Sequence, residues 1–354
     1  MSFTVTILPS GKNFNVEPGE FVLEAALRQG VVLPYGCKNG ACGSCKSKIV
    51  SGMHDQGPHS PNALRDEEAL KGFALLCCSK PQSDLSVEAR VVAAAGDIPL
   101  RRMPCRIASV RHPAPGVAVL RLQLPANERL QYLAGQYVEL LLRDGIRRAY
   151  SMATAPHDAD QLELHVRHMP GGKFTDALFG VTQPAFKEKD ILRLEGPMGT
   201  FFLREDSRKP IVFLASGTGF APVKAVIEHC LHKDLGRPMA LYWGGRRPHD
   251  LYMNALAEKW AREVPHFSYV PVVSDALDED DWSGRVGFVH RAVMEDFPDL
   301  SGHEVYACGA PIVVDSARID FVEQCGLPLD DFIADSFTSA ADLAEADGAG
   351  RDRA

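Results

Sequence analysis

Four cysteines constrain this chain more than any other feature. They read Cys37-x4-Cys42-x2-Cys45, and Cys77 follows after 31 intervening residues. The first three lie in Pro34-Tyr35-Gly36-Cys37-Lys38-Asn39-Gly40-Ala41-Cys42-Gly43-Ser44-Cys45. One triplet plus one distant cysteine is the ligand spacing of a [2Fe–2S] cluster, in which each iron takes two thiolates. A zinc ribbon would show two short C-x2-C pairs instead. A secreted disulfide scaffold would be denser in cysteine than nine in 354 residues. Gly36, Gly40 and Gly43 fit a loop that wraps a cluster, because its amides must approach the sulfides closely. Cys78 stands next to Cys77 and complicates the choice of fourth ligand. Cys105, Cys230 and Cys325 are scattered and read as core thiols.

The flanking sequence has the pattern of a small domain. Phe3, Val5 and Ile7 alternate with polar residues, Pro9-Ser10-Gly11-Lys12 turns the chain, and Phe14 and Val16 resume the alternation. That reads as a β-hairpin. Phe21 to Gln29 has helical periodicity and stops at Gly30. Leu85, Val87 and Ala89 alternate as a closing strand. Strand, turn, strand, helix and cluster loop together resemble the β-grasp of plant-type ferredoxins. Leu76-Cys77-x3-Pro81 is similar to the end of the ferredoxin motif. The resemblance therefore makes Cys37, Cys42, Cys45 and Cys77 the iron ligands and leaves Cys78 a packed thiol.

A length of 354 residues predicts two to three domains. No apolar stretch is long enough to span a membrane, and the N-terminus has no basic-then-apolar signal pattern. A cytoplasmic location is expected. The net charge of −8 and the lack of a basic stripe give no reason to expect nucleic-acid binding. The twelve histidines are dispersed, with no ligand-like pair. Val91–Arg102 is rich in small residues and reads as a linker, placed at 94–102. Residues 338–354 lack aromatics and read as a disordered tail.

A nicotinamide nucleotide delivers two electrons together, whereas a single cluster takes one. Flavin is the usual intermediary. The middle of the chain has barrel-like alternation at Val117–Leu124 and Gln161–Arg167. It also carries Arg148-Ala149-Tyr150-Ser151, Gly171-Gly172-Lys173-Phe174-Thr175 and Gly196-Pro197-Met198-Gly199-Thr200-Phe201. These resemble the R-x-Y-S, G-G-x-x-S/T and G-P-x-G-x-F motifs of the ferredoxin–NADP reductase superfamily. The resemblance implies that Arg148 grips a flavin phosphate, Tyr150 packs on the ring and Ser151 lies near N5. It also implies that Gly171, Gly172 and Thr175 open a helix toward the pyrophosphate, and that Gln136 and Tyr137 lie beside them. A second phosphate site favours FAD over FMN.

Ile211–Ala215 is a short apolar run, followed by Ser216-Gly217-Thr218-Gly219-Phe220-Ala221-Pro222 and a helical pattern to about His232. Strand, Gly-rich turn and helix is a phosphate-binding arrangement of doubly wound folds. Strand patterns at Met239–Trp243, Phe267–Val273 and Glu304–Cys308 alternate with helical ones, which predicts a parallel sheet. Gly217, Thr218, Gly219 and Pro222 resemble the reductase family's G-x-G-x-x-P. Cys308-Gly309-Ala310-Pro311 resembles its C-G-x-P, which places Cys308 and Gly309 near the nicotinamide. Phe337 stands where the family shields the flavin face with an aromatic residue. Arg246 and Asp250 stand where similar oxygenase reductases carry an Arg and an Asp. Those generally use NADH, so NADH is expected, although Arg246 and Arg247 together would suit NADPH; an Arg–Asp pairing across this loop, between Arg246 and Asp250, would leave less charge free for a phosphate.

The order of segments resembles the single-chain reductase components of multicomponent oxygenases, phenol hydroxylase reductase among them, and CDP-deoxyglucoseen reductase-like proteins. It implies a multidomain α/β chain. The expected map is a [2Fe–2S] β-grasp domain at 1–93, the linker at 94–102, an antiparallel FAD-binding β-barrel at 103–206 and a doubly wound NAD(P)-binding domain at 207–337. The implied route runs from NADH to FAD, to the cluster, to an electron-accepting protein, most naturally a terminal oxygenase. A dehydratase partner, or a self-contained flavin, quinone or ferric reductase, is the alternative. Oligomeric state has no signature in the sequence.

Overall fold

The computed structural model describes residues 2–92, 98–158 and 160–337. The expected tail at 338–354 and residues 94–97 of the expected linker lie outside them. The chain divides into two compact units. The first comprises residues up to Pro99, Gly199–Phe201 and the segment from Asp335; the second comprises Leu100–Met198 and Phe202–Ala334.

The first unit is built on β1 (Phe3–Leu8), β2 (Lys12–Val16), β3 (Lys46–Ser51), β4 (His54–Gln56), β5 (Phe73–Leu75), β6 (Ser79–Pro81) and β7 (Leu85–Glu88). Its main sheet runs in the order β2-β1-β7-β3-β5. The expected closing strand β7 is central, parallel to β1 and antiparallel to β3. Helix Val22–Arg28 buries Val22, Leu23, Ala25 and Ala26. Those side chains join Val5, Ile7, Phe14, Leu75, Leu76 and Val87 in one core, and Cys45 and Cys77 lie in it. The ligand loop is thus anchored by apolar packing on one side.

The second unit holds two sheets. β8 (Arg101–Ala114), β9 (Val117–Gln123), β10 (Tyr137–Leu141), β11 (Arg147–Ser151), β12 (Gln161–Arg167) and β13 (Ile191–Met198) form an antiparallel sheet, ordered β11-β10-β13-β8-β9-β12. A bridge between Met152 and Leu164 brings its two edges together and curls it into a barrel. Arg101 and Arg102, assigned to the linker from composition, already pair with β13 through Gly196 and Glu195. The barrel's first strand therefore begins two residues before the expected start at 103.

The other sheet comprises β14 (Ile211–Ser216), β15 (Met239–Gly245), β16 (Phe267–Val273), β17 (Arg285–Val286), β18 (Glu304–Gly309) and β19 (Phe332–Ser336), in the order β17-β16-β15-β14-β18-β19. β14 pairs parallel with both β15 and β18. The chain winds outward from β14 to β17, then crosses back to start β18 on the other side. The switch point between β14 and β18 opens a crevice at their carboxyl ends, where doubly wound sheets bind ligands. At the opposite end, buried Arg237 donates to Glu304 at 2.7 Å and to the carbonyls of Lys209 and Arg204. Both charges are 2% exposed, and the extra hydrogen bonds offset their desolvation.

A buried polar chain joins barrel and sheet inside this unit. His165 on β12 bonds Tyr252 through Nδ1 at 2.7 Å and Glu163 through Nε2 at 3.1 Å. Lys224, in helix Phe220–His232, lies 3.5 Å from Glu163 and donates to the Ala153 carbonyl. Burial holds the His165 imidazole neutral, against the pull of Glu163. The histidines are also less dispersed than the sequence implies. His157 stacks on His232 at 3.7 Å between ring centroids, an encounter that only the tertiary fold creates.

Candidate functional site

The cysteine loop draws its thiols together in pairs. Cys45 and Cys77 Sγ atoms stand 3.3 Å apart, and both residues are buried. Cys37 and Cys42 are interlocked, each thiol accepting the other's backbone N–H at 3.3 and 3.4 Å. Among the described residues, no group of three or more His, Cys, Asp or Glu converges on a single metal point. Two pairs suit a two-iron cluster, which takes one pair per iron. Two thiolates on one tetrahedral metal stand about 3.8 Å apart, so the Cys45–Cys77 spacing needs only a small adjustment.

Contact geometry separates Cys77 from Cys78. Hydrogen bonds from Cys45 and then Cys78 push the Cys77 thiol down to about 4, while Cys37, Cys45 and Cys78 are each pushed up by the bond to a neighbouring thiol and by burial. Cys42 is lowered to about 6, chiefly by its hydrogen bond with Cys37. Cys77 is the thiol in contact with Cys45, at 3.3 Å, and Cys78 Sγ lies 3.5 Å from Cys77 Sγ. Gly40 makes this packing possible. Its φ is +80°, and an added Cβ would lie 2.7 Å from Cys78 Sγ and 3.0 Å from His59 Cβ.

On the barrel, strand geometry separates two adjacent arginines. Arg147 faces outward and pairs with Glu139 and Glu195. Arg148 and Tyr150 point the other way, opposite the buried Leu140 and Val138. Arg148 donates to the Arg147 carbonyl and has no carboxylate partner among the described residues. It is therefore the arginine of the pair that can take a phosphate. Tyr150 packs against Phe174, with centroids 5.4 Å apart. Gln136 and Tyr137 do lie beside Ser151: the Gln136 carbonyl accepts Met152 N–H, and Tyr137 pairs with Ser151.

The glycine pair opens a short helix, Lys173–Leu178. A Cβ on Gly172 would fall 2.5 Å from Thr175 Oγ1, so the turn requires glycine. Thr175 gives its hydroxyl proton to the Met169 carbonyl, and Asp176 accepts the Gly171 N–H at 3.1 Å. One amide expected to face a pyrophosphate is thus held by a carboxylate of the same turn. The G-P-x-G-x-F segment also divides. Met198 ends β13, while Gly199–Phe201 group with the first unit, where Gly199 N–H donates to the Tyr35 hydroxyl and Thr200 bonds the Tyr35 backbone.

At the switch point, Gly219 lies against β18: an added Cβ would come within 2.1 Å of the Cys308 carbonyl oxygen. Ser216 Oγ accepts the Ala310 N–H at 2.8 Å, and Trp243 Nε1 donates to the Gly217 carbonyl at 3.0 Å. Phe220 stacks on Trp243 at 3.9 Å. The β14 turn and the Cys308-Gly309 turn thus form one floor. Thr218 and Pro222 are buried in it, and the Cys308 side chain is fully buried. Phe337 follows β19 and is half-buried. Sequence reasoning missed Arg167, whose Nη1 lies 3.2 Å from the position of a Gly217 Cβ and so brings a cation to the phosphate-binding turn. No motif marks it; only the register of β12 does.

The Arg246–Asp250 region differs from expectation. Asp250 Oδ2 accepts the backbone N–H of both Arg246 and Arg247, at 2.9 and 3.0 Å. The guanidinium that finds a carboxylate is that of Arg247, and its partner is Asp280. Asp280 lies 30 residues beyond Asp250 in sequence, outside any local motif.

Comparisons with known proteins match this geometry segment by segment. Residues 5–82 match the 2Fe-2S iron-sulfur cluster binding domain, 104–203 the oxidoreductase FAD-binding domain and 213–318 the oxidoreductase NAD-binding domain. The chain therefore has sites for a [2Fe–2S] cluster, FAD and a nicotinamide nucleotide. It is 42% identical to the CDP-6-deoxy-L-threo-D-glycero-4-hexulose-3-dehydrase reductase of Yersinia pseudotuberculosis, over 95% of this chain and 99% of the relative. It is 35% identical to reductase component 2 of the terephthalate 1,2-dioxygenase of a Comamonas species, over 96% and 98%. Among solved structures it resembles the Amycolatopsis cytochrome P450 reductase, with a TM-score of 0.73, 34% identity and 96% and 99% coverage. No helix among the described residues is long and apolar enough to cross a membrane.

Proposed function

This chain belongs to the single-chain, ferredoxin-fused flavin reductases of the ferredoxin–NADP reductase superfamily, and from that premise we propose that it supplies electrons from NADH to a separate terminal oxygenase. It is an NAD(P)H-dependent iron–sulfur flavoprotein oxidoreductase. When bound, the flavin accepts a hydride and releases electrons singly, and the cluster carries them one at a time. The protein's part is to hold each group. Arg148 and the Gly171-Gly172 turn receive the flavin phosphates, the Gly217–Gly219 turn receives the nucleotide, and the two thiol pairs hold the irons. Ser151 and Cys308 are assigned to the flavin–nicotinamide contact, and Phe337 remains the proposed aromatic shield of the flavin face.

The observation that carries the reading is the pairing of Cys45 with Cys77 on a chain that also has flavin and nucleotide sites. A one-electron carrier is needed only when the acceptor takes single electrons, as a partner protein does. No disulfide links any of the nine cysteines, which fits a reducing compartment, and we place the protein in the cytoplasm.

A second reading has its own support. The relative at 42% identity is named for a deoxyhexulose dehydrase, so a dehydrase is the competing partner. Reconstitution decides between them. The holoenzyme and NADH are mixed separately with a terminal dioxygenase and with a hexulose dehydrase, and product is quantified. Turnover with the dioxygenase alone supports the proposal; turnover with the dehydrase alone replaces it. Quinone or ferric reduction at full rate in a cluster-free variant would instead mark a self-contained reductase.

A further inference from the structure

At the carboxyl ends of β15 and β16 lies a pocket lined by Arg246, Arg247, Asp250, Ser274, Asp275 and Leu277 among others. In a doubly wound sheet this edge receives the adenosine end of a dinucleotide. A 2′-phosphate there would need guanidinium or amide donors, whereas bare ribose hydroxyls need acceptors.

The pocket's donors are largely spent. Arg247 makes a two-pronged pair with Asp280, Nε to Oδ2 and Nη2 to Oδ1, both at 2.7 Å, and Glu279 adds a third oxygen at 3.4 Å. Asp280 is itself fixed, because its Oδ2 also accepts the Leu277 N–H at 2.9 Å. The backbone N–H groups of Arg246 and Arg247 are both taken by Asp250. Arg246 and His249 also line the pocket and are exposed. An arginine locked in a bidentate carboxylate pair must give up both bonds before it can clamp a phosphate.

We propose that the Arg247–Asp280 pair is a latch that sets nucleotide choice, withholding Arg247 from a 2′-phosphate and so selecting NADH over NADPH. The inference deepens the donor assignment above and rests on it. The latch is built from two distant loops, one after β15 and one after β16. Its strength is therefore set by Asp280, a residue that touches no nucleotide in this account. Asp280 is a specificity-determining positioning residue.

The test uses the loaded holoenzyme with cytochrome c as acceptor. kcat/KM is measured for NADPH and NADH in wild type, Asp280→Asn, Asp280→Ala and the double variant Asp280→Ala/Arg247→Ala. Inhibition by 2′-AMP and by 5′-AMP is read in parallel, as a binding measure independent of turnover. The flavin and cluster absorbance confirm loading, and the Asn variant keeps the side-chain shape. The NADPH/NADH ratio is expected to rise by about tenfold in Asp280→Ala. Inhibition by 2′-AMP should tighten to match, and both gains should vanish when Arg247 is also removed. An unchanged ratio in both single variants, with wild type preferring NADH, overturns the latch alone. So does a gain that survives loss of Arg247. A wild-type preference for NADPH overturns the donor assignment and the latch with it.

Discussion

Gly219 sits so close under the Cys308 carbonyl that a single added methyl would fall 2.1 Å from its oxygen. The contact welds the turn after β14 to the turn after β18, and these two turns flank the crevice at the switch point. Gly219→Ala must push them apart. A displacement of about 1 Å at a hydride-transfer site costs on the order of 100-fold in rate. The expected result is that loss in NADH-dependent flavin reduction, with flavin and cluster still bound. Stopped-flow reduction of the loaded variant checks it; wild-type rates would show that the two turns need not touch.

The cysteine pairing distinguishes two adjacent thiols. Cys77→Ser removes the group that stands 3.3 Å from Cys45 and is expected to bleach the iron–sulfur absorption or make it labile. Cys78→Ser changes only the neighbouring thiol, 3.5 Å from Cys77, and is expected to leave the cluster in place. Iron and sulfide content with the visible spectrum report both. The opposite pattern would move the fourth ligand by one residue.

The two neighbouring arginines should behave differently. Arg148→Ala removes a cation free to bind phosphate and is expected to weaken flavin binding by about 10- to 100-fold, the worth of a charge-assisted hydrogen bond. Arg147→Ala breaks an outward-facing ion pair with Glu139 and Glu195 and leaves flavin bound. Flavin released on gel filtration is the readout, and the extracted cofactor is expected to be FAD. Equal release from both variants, or extraction of FMN, contradicts the assignment.

Acid weakens the second unit through His165. Burial lowers its folded-state pKa, so the unfolded chain binds the proton more readily. The stability this contributes is present above the unfolded value of about 6.5 and is lost as pH falls toward the folded one, at up to about 1.4 kcal/mol per pH unit. All three tryptophans, Trp243, Trp260 and Trp282, lie in the nucleotide-binding half, so their fluorescence follows its unfolding. The midpoint should be lower at pH 5.5 than at pH 7.5, with a shallower dependence in His165→Gln. An identical dependence in that variant removes His165 from the account.

What could be read from sequence followed local pattern. The period-two alternations at Phe3–Ile7 and Leu162–Val166 and the apolar run at Ile211–Ala215 are strands, because each signal is complete within a short segment, and the cysteine spacing led to the paired thiols. Position across the fold was not readable. The Asp250 carboxylate suggested an ion pair with Arg246, yet it caps a turn, and the true pair reaches from Arg247 to Asp280. Arg167 meets Gly217 only because β12 ends beside that turn. The linker boundary failed for a related reason: Arg101 and Arg102 look like loop by composition, and only pairing with β13 makes them strand.

The central claim is that electrons reach the flavin first and leave through the cluster. Cys42→Ser opens one thiol pair while leaving the residues of the flavin and nucleotide sites untouched. NADH should then still reduce the flavin and small two-electron dyes at the wild-type rate, while cytochrome c reduction collapses. Undiminished cytochrome c reduction by the cluster-free variant would contradict the account, because the cluster would not lie on the route.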